Sequence, residues 1–219
     1  MIKLPQSLHD AFGAQLRSDV PLRDLTTFKV GGPARWFLET RSSHDLVRAL
    51  RLAHDGHVPV VLLGGGSNVL VSDRGVDALV IRPRGGVVEQ VDPRHIRADA
   101  AVTINGLVRW TITHALAGVE AWAGTPGTVG GAVFGNAHYG GRLIGELIAR
   151  VHLTDRAGVV SEVATADLGF GYDKSRLQTT GEILLSADFI VSPGEPAALR
   201  EEARRSLDYR KRTQPLHMP

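Results

Sequence analysis

The chain has 219 residues, 43% of them hydrophobic and 22% charged, with a formal net charge of +2. That length supports one large domain or two small ones around a buried core. The absence of cysteine excludes disulfides, thiolate metal sites, iron–sulfur ligation and a Cys nucleophile.

The elements follow from periodicity. Leu8, Phe12 and Leu16 stand four apart and predict a helix over residues 5–18. DLTTFKVGGPARWFLE reads as two extended pieces broken by Gly31-Gly32-Pro33. SSHDLVRALRLAHDGH predicts an amphipathic helix with Ser43 as its N-cap and Leu46, Ala49, Leu50 and Ala53 on one face. VPVVLLG predicts a buried strand, and NVLVSD and ALVIRP are β-like in turn. GVVEQV and HIRADAAV predict a hairpin, and TINGLVRWTITHALAG a helix ended by Gly118. The stretch from Gly124 to Gly145 is too apolar for a linker and too rich in glycine for a plain strand or helix. ARVHLTD, VVSEVA and EILLSADFIVSPG predict strands, with RAG as a hairpin connection. Pro196 to Arg212 predicts a helix with Leu199, Ala203 and Leu207 inward, stopped by the two prolines of TQPLHMP. The pattern is α+β, with a boundary near residue 80. No run of about 18 apolar residues suggests a membrane span, and MIKLPQSLHDAFG lacks the apolar core of a secretory leader. The basic cluster LREEARRSLDYRKR is interrupted by Glu201, Glu202 and Asp208. A solvated helix face is therefore expected there, not a nucleic-acid stripe.

Three constellations are candidates for chemistry. The first is LLGGGSNVLVSDRG, in which Gly64, Gly65, Gly66, Ser67 and Asn68 follow an apolar strand. A dinucleotide or P-loop site orders strand, glycine loop and helix, with phosphate at the helix N-terminus. Here the loop runs from strand to strand, so phosphate ligands would be bare backbone amides. A tight turn without a ligand is the alternative. The second is GTPGTVGGAVFGNA. Its glycines allow a close approach of backbone to ligand, and Thr125, Thr128 and Asn136 add polar groups. A packing turn is the alternative. Two such loops in one chain favour a long ligand such as a dinucleotide. The third is FGYDKSRLQ, where Tyr172, Asp173, Lys174, Ser175 and Arg176 form a polar cluster able to face an anion or simply an exposed turn. His138 lies in the glycine-rich stretch with either a ligand-facing or a structural role open to it. The nine histidines show no metal-site spacing such as HExxH, so no metal is expected.

Taken together, LTTFKVGGPARWFLE, VPVVLLGGGSNVLVSDRGVDALVI, AGTPGTVGGAVFGNAHYGG, FGYDKSRLQ and YRKRTQPLHMP resemble, in order and spacing, the MurB-type UDP-N-acetylenolpyruvoylglucosamine reductases. The resemblance implies a two-subdomain FAD-binding fold of the vanillyl-alcohol-oxidase/PCMH type, with subdomains at 1–80 and 81–219 and FAD between them. It implies FAD as cofactor, NADPH as reductant and a UDP-sugar as substrate. The product would be UDP-N-acetylmuramate for peptidoglycan, made by a cytoplasmic monomer. Gly64 to Asn68 match the loop that holds the FAD pyrophosphate. Thr125, Gly127, Thr128, Gly130 and Gly131 match the second cofactor loop, and Asn136 matches the Asn of the family's Asn-Ala segment. Thr26 and Thr27 stand where the family runs past the flavin.

Two departures bear on catalysis. The family motif Tyr-Arg-x-Ser, whose Arg stabilises an enolate, reads Tyr172-Asp173-Lys174-Ser175 here. Lys174 or Arg176, beside Tyr172, are the candidates to replace that Arg. NAHYGG is also one residue shorter than the usual Asn-Ala-Gly-Ala-Tyr-Gly. In the family the chain continues past Gln-Pro-x-x-x-Pro into a third domain that binds the UDP-sugar and carries the proton-donating Ser and a Glu. The sequence stops at Pro219, so the expectation is a chain that binds FAD and turns over substrate poorly. An inactive or repurposed FAD-binding module and a non-redox nucleotide-binding module are the competing readings.

Overall fold

The computed structural model describes residues 3–213. They fall into two compact units. The first comprises the described residues through Gly85 together with Thr154–Val160, and the second comprises the rest.

In the first unit, helix α1 (Gln6–Phe12) buries Leu8 and Phe12. The helix expected to reach residue 18 stops at Gly13, whose φ of +47° leaves the helical region. Leu16 instead opens strand β1 (Leu16–Pro21), antiparallel to β2 (Pro33–Thr40), with Leu16 opposite Leu38. Of the two extended pieces expected around Gly31-Gly32, only β2 forms, because Leu22–Leu25 is a 3-10 turn. Helix α2 (Ser43–Asp55) buries the four residues its periodicity selects, Leu46, Ala49, Leu50 and Ala53. Its cap is Ser42, one residue before the expected Ser43. The Ser42 backbone is extended, at φ −142°, and its Oγ accepts from the Asp45 amide at 3.0 Å.

Strands β3 (Val60–Leu62) and β4 (Val76–Pro83) complete a four-stranded sheet of order β1-β2-β4-β3, in which β4 runs parallel to both neighbours. β4 buries Ala78, Leu79, Val80 and Ile81 in succession, the continuous apolar run of a central parallel strand. Parallel neighbours need a crossover. Here the crossover is the irregular segment 63–75, and NVLVSD within it forms no strand. Val71 of that segment packs on the cluster of Leu22, Ala34, Phe37, Leu63 and Val80.

In the second unit, β5 (Val88–Asp92) and β6 (His95–Asp99) form the expected hairpin. Helix α3 (Ile104–Thr113) is capped by Thr103, whose Oγ1 accepts from the Gly106 amide at 3.0 Å. It ends at His114 and not at Gly118, and β7 (Leu116–Ala117) begins inside the expected helix. The glycine-rich stretch contains a short helix after all, α4 (Val129–Phe134), with Thr128 as its cap. The strands β8 (His138–Tyr139) and β9 (Arg142–Leu143) pair antiparallel. β10 (Ile148–Thr154), β11 (Val160–Ala164), helix α5 (Leu177–Thr180), β12 (Ile183–Ile190), β13 (Ser192–Pro193) and helix α6 (Pro196–Thr213) follow. The prolines expected to stop α6 lie outside the described residues.

The main sheet has the order β11-β10-β12-β6-β5. Central β12 is buried from Ile183 to Phe189. The core beside it is built from Ile96, Leu107, Trp122, Val129, Val133, Leu153 and Phe189. One charge is carried into this sheet. Asp188 is only 3% exposed and accepts from Arg97 Nε and Nη2 at 2.7 and 2.9 Å, with Arg150 and His152 each at 3.6 Å. Burial pushes its pKa upward, but the Arg97 bonds and the nearby Arg97, His152 and Arg150 side chains more than reverse this and hold it below the ordinary carboxylate range.

α6 departs from its expected face. Its buried positions are Leu199, Ala203, Ser206 and Arg210, while Leu207 is partly exposed. The inward stripe therefore ends on a hydroxyl and a guanidinium.

Candidate functional site

In the first unit the Leu63 amide makes the last bond to β4, to Ile81 O at 2.9 Å. The glycine loop begins at the next residue. Among the described residues, no acceptor meets the amides of Gly64, Gly65, Gly66, Ser67 or Asn68. The loop is nevertheless fixed. Gly66 O accepts from the Thr27 amide at 2.9 Å. Gly66 has φ +71°, and a Cβ there would run into the Leu25 carbonyl. Only glycine fits, both by conformation and by space. Thr26, which is buried, donates its hydroxyl to Val30 O at 3.2 Å and braces the same turn. Five consecutive N–H donors without acceptors among the described residues, on a turn fixed by the Gly66–Thr27 bond, are the kind of backbone donors that anions take.

The second glycine loop is built differently. Asn105 of α3 pins its start: Oδ1 accepts from the Gly124 amide at 2.7 Å and Nδ2 donates to Thr125 O at 3.4 Å. The Thr125 amide bonds to Trp122 O. The Val129 and Gly130 amides bond to Val102 O and Ala100 O, each at 2.8 Å, and the Gly131 amide bonds to Thr128 Oγ1 at 3.3 Å. Within Gly124 to Gly131 the amides left without an acceptor among the described residues are those of Gly127 and Thr128. Most of this loop's donors thus serve the fold.

Behind the loop lies Arg210, only 5% exposed. Its Nη2 donates to Thr125 Oγ1 at 2.7 Å, and its guanidinium carbon stands 3.7 Å from the Tyr139 ring centroid. Tyr139 in turn donates its hydroxyl to Ser206 O at 3.1 Å. Gly124 makes room for this arrangement. It has φ +81°, and a Cβ would lie 2.7 Å from Leu207 and 3.1 Å from the Arg210 side chain. Burial pushes the Arg210 pKa down, and Tyr139 partly opposes this, yet a guanidinium stays charged at neutral pH. No carboxylate pairs with it among the described residues. A desolvated cation–π contact is worth about 2 kcal/mol, against a desolvation cost of several kcal/mol for a buried ion.

Asn136 is fully buried, with φ +43°. Its Nδ2 donates to Gly171 O at 2.8 Å and its Oδ1 accepts from the Gly145 amide at 2.9 Å. Its side chain acts inside the protein, joining the glycine-rich stretch to the FGYDKSRLQ turn. Ser175, also buried, strengthens that joint by donating to Phe134 O at 2.6 Å, and Gln178 Nε2 donates to Phe134 O and Asp173 O at 3.2 and 2.9 Å.

The structure brings the third cluster together only in part. Tyr172 is 72% exposed, and its hydroxyl lies 3.1 Å from His138 Nε2. His138 Nδ1 lies 3.0 Å from Asp173 Oδ1. Lys174 is exposed. Arg176 points elsewhere. It holds Glu182 through two bonds of 3.0 and 2.7 Å and donates to Asp167 O at 3.2 Å. That pairing holds the Glu182 carboxyl below its usual range. Arg176 is therefore committed to a structural ion pair. Asn105 and Arg210 lie outside the three polar and glycine-rich constellations of the sequence. The available signal for Arg210 was its place eleven residues after Leu199, on the stripe that α6 buries.

Residues 34–164 match the FAD binding domain family. The UDP-N-acetylenolpyruvoylglucosamine reductase of Synechococcus sp. (strain JA-3-3Ab) is 36% identical over 209 residues, 94% of this chain and 66% of that protein. That of Streptococcus thermophilus (strain ATCC BAA-491 / LMD-9) is 35% identical over 219 residues, 99% of this chain and 71% of that protein. The chain thus spans about two thirds of the length of these curated relatives. Among solved structures, UDP-N-acetylenolpyruvylglucosamine reductase (MurB) from Thermus caldophilus superposes with a TM-score of 0.75 at 30% identity, covering 90% of this chain and 70% of that one. Alkyldihydroxyacetonephosphate synthase shares the fold alone, with a TM-score of 0.64 at 17% identity over 87% of this chain and 41% of that one. The α+β class read from the residues, and the FAD-binding fold that the family resemblance implied, are the fold observed. With both glycine loops falling inside the matched domain, this chain belongs to the UDP-N-acetylenolpyruvoylglucosamine reductase family and carries its FAD binding domain.

Proposed function

We propose that this chain binds FAD and provides the flavin half of an NADPH-driven reduction of UDP-N-acetylglucosamine enolpyruvate to UDP-N-acetylmuramate. The reaction belongs to peptidoglycan synthesis, in the cytoplasm, and the working form is a monomer. The observation that carries the reading is the row of amides from Gly64 to Asn68 that meet no acceptor among the described residues, inside a domain that matches the FAD binding domain family. Those amides take the pyrophosphate. In the second unit the Gly127 and Thr128 amides and the Thr125 side chain contribute, while Gly130, Gly131 and Asn136 shape the loop from within. When bound, FAD supplies the hydride chemistry between the nicotinamide and the enolpyruvyl double bond.

A second reading, a FAD-binding module without turnover, is favoured by one observation. Asp173 and Arg176 are engaged with His138 and Glu182, so of the three catalytic candidates only Lys174 and Tyr172 remain at the surface. The test is spectroscopic. Purified protein that is yellow and bleaches with NADPH supports the first reading. Yellow protein that NADPH leaves unbleached supports the second. Colourless protein that takes up no flavin on reconstitution refutes both.

A further inference from the structure

Two of the buried donors without partners among the described residues, Trp122 Nε1 and Arg210 Nε, border the same segment, Trp122 to Thr128. The segment opens on Trp122, whose carbonyl holds the Thr125 amide, and Thr125 in turn accepts from Arg210. Arg210 carries a full charge into this place with no acidic partner among the described residues. Its neighbours are a hydroxyl, an aromatic ring and the backbone of a glycine that leaves room for it. A fold that needed only packing at this helix position would be served by an apolar side chain, since replacing a buried charge by an apolar group of similar size is often neutral or stabilising. Arg210 is thus a cation without a counter-charge among the described residues.

From this we infer that Arg210 is the counter-cation for an anionic group of the bound FAD, held ready behind the Thr125–Thr128 turn. The inference rests on the FAD reading above. Two groups of FAD have the required chemistry: the pyrophosphate, which is always anionic, and the isoalloxazine ring, which becomes anionic on reduction. Cation–π contact with Tyr139 and the bond to Thr125 keep the guanidinium oriented, and its Nε and remaining Nη protons are left for the ligand.

The experiment compares the parent protein with Arg210→Met and Arg210→Lys. Melting temperature is measured without flavin, affinity for FAD and for riboflavin by fluorescence quenching, and midpoint potential by photoreduction. Arg210→Met without flavin is expected to melt at or above the parent temperature. A merely structural Arg210 would lower it, and that result alone counts against the inference. If the pyrophosphate is the partner, Arg210→Met loses about ten- to hundred-fold in FAD affinity and none in riboflavin affinity. If the reduced ring is the partner, both oxidised flavins bind as before. The midpoint potential then falls by about 30 mV for each ten-fold loss of affinity for the reduced form. Arg210→Lys keeps the charge and is expected to retain part of either effect, which makes it the folded comparator should the Met variant aggregate. A parent that binds FAD alongside variants of unchanged affinity and potential overturns this inference and leaves the FAD reading standing. A parent that binds no FAD overturns the FAD reading itself.

Discussion

At the level of single residues, the glycine loop of the first unit is specified by geometry that only a few side chains tolerate. Gly66 combines a left-handed backbone with a carbonyl where Cβ would be. Gly66→Ala is therefore expected to cost at least about 1–2 kcal/mol and to displace the amides of its neighbours. Urea unfolding and FAD titration together check this, and a variant with unchanged stability would mean that the Leu25 turn yields freely. Asn136 is the comparable residue of the second unit. Asn136→Ala leaves the buried Gly145 amide without its partner and removes one of the two bonds to the Gly171 carbonyl, which still accepts from the Lys174 amide, a loss of roughly 1–3 kcal/mol in urea unfolding. The identity of these residues was legible in the sequence, because glycine and asparagine are the residues that accept positive φ. What Asn136 touches was not, since Gly145 and Gly171 lie 9 and 35 residues away along the chain.

At the level of elements, β12 shows how a charge is kept inside a sheet. Asp188 is surrounded by Arg97 of β6 and by Arg150 and His152 of β10. Its native pKa is depressed while its unfolded value is about 3.9. The stabilisation it provides is therefore complete above about pH 4 and is lost as pH falls through the lower native value. Asp188→Asn is expected to destabilise by roughly 2–4 kcal/mol at neutral pH. It should also flatten the acid limb of a stability–pH curve, which urea midpoints between pH 7 and 3 would reveal. An unchanged acid limb would assign acid unfolding to other carboxylates. Periodicity located α2 and its buried face because four apolar residues repeat at helical spacing on one side. α1 and α3 are shorter than their hydrophobic spacing implies, since Gly13 at positive φ and the pairing of β7 with β13 end helices that spacing alone would continue. On α6 it selected Leu207, but the packing of the helix against Gly124 admits Arg210 instead.

At the level of the whole molecule, each unit carries one glycine loop. Free FAD at about 100 times its dissociation constant then adds about 2.7 kcal/mol to stability. Hydrogen exchange read by mass spectrometry should slow at residues 64–68 and at 127–128 when FAD is added. Unchanged exchange at residues 64–68 would refute the assignment of the first loop, and unchanged exchange at 127–128 that of the second. The sequence by itself determined the α+β class, the strand-to-strand setting of the first loop and, through motifs spread over most of the chain, the family. These are carried by local chemistry: alternation, helical spacing, and glycines placed where backbone must turn. Only the tertiary structure decided which amides are still free, because a donor is satisfied or left open by carbonyls distant in the chain. Among the described residues it left the amides of Gly64 to Asn68 open and consumed most of those of the second loop. It also locked Arg176 onto Glu182 and brought a lone guanidinium under Thr125. Such assignments depend on which long-range neighbours desolvate or pair a polar group, and local sequence carries no record of them.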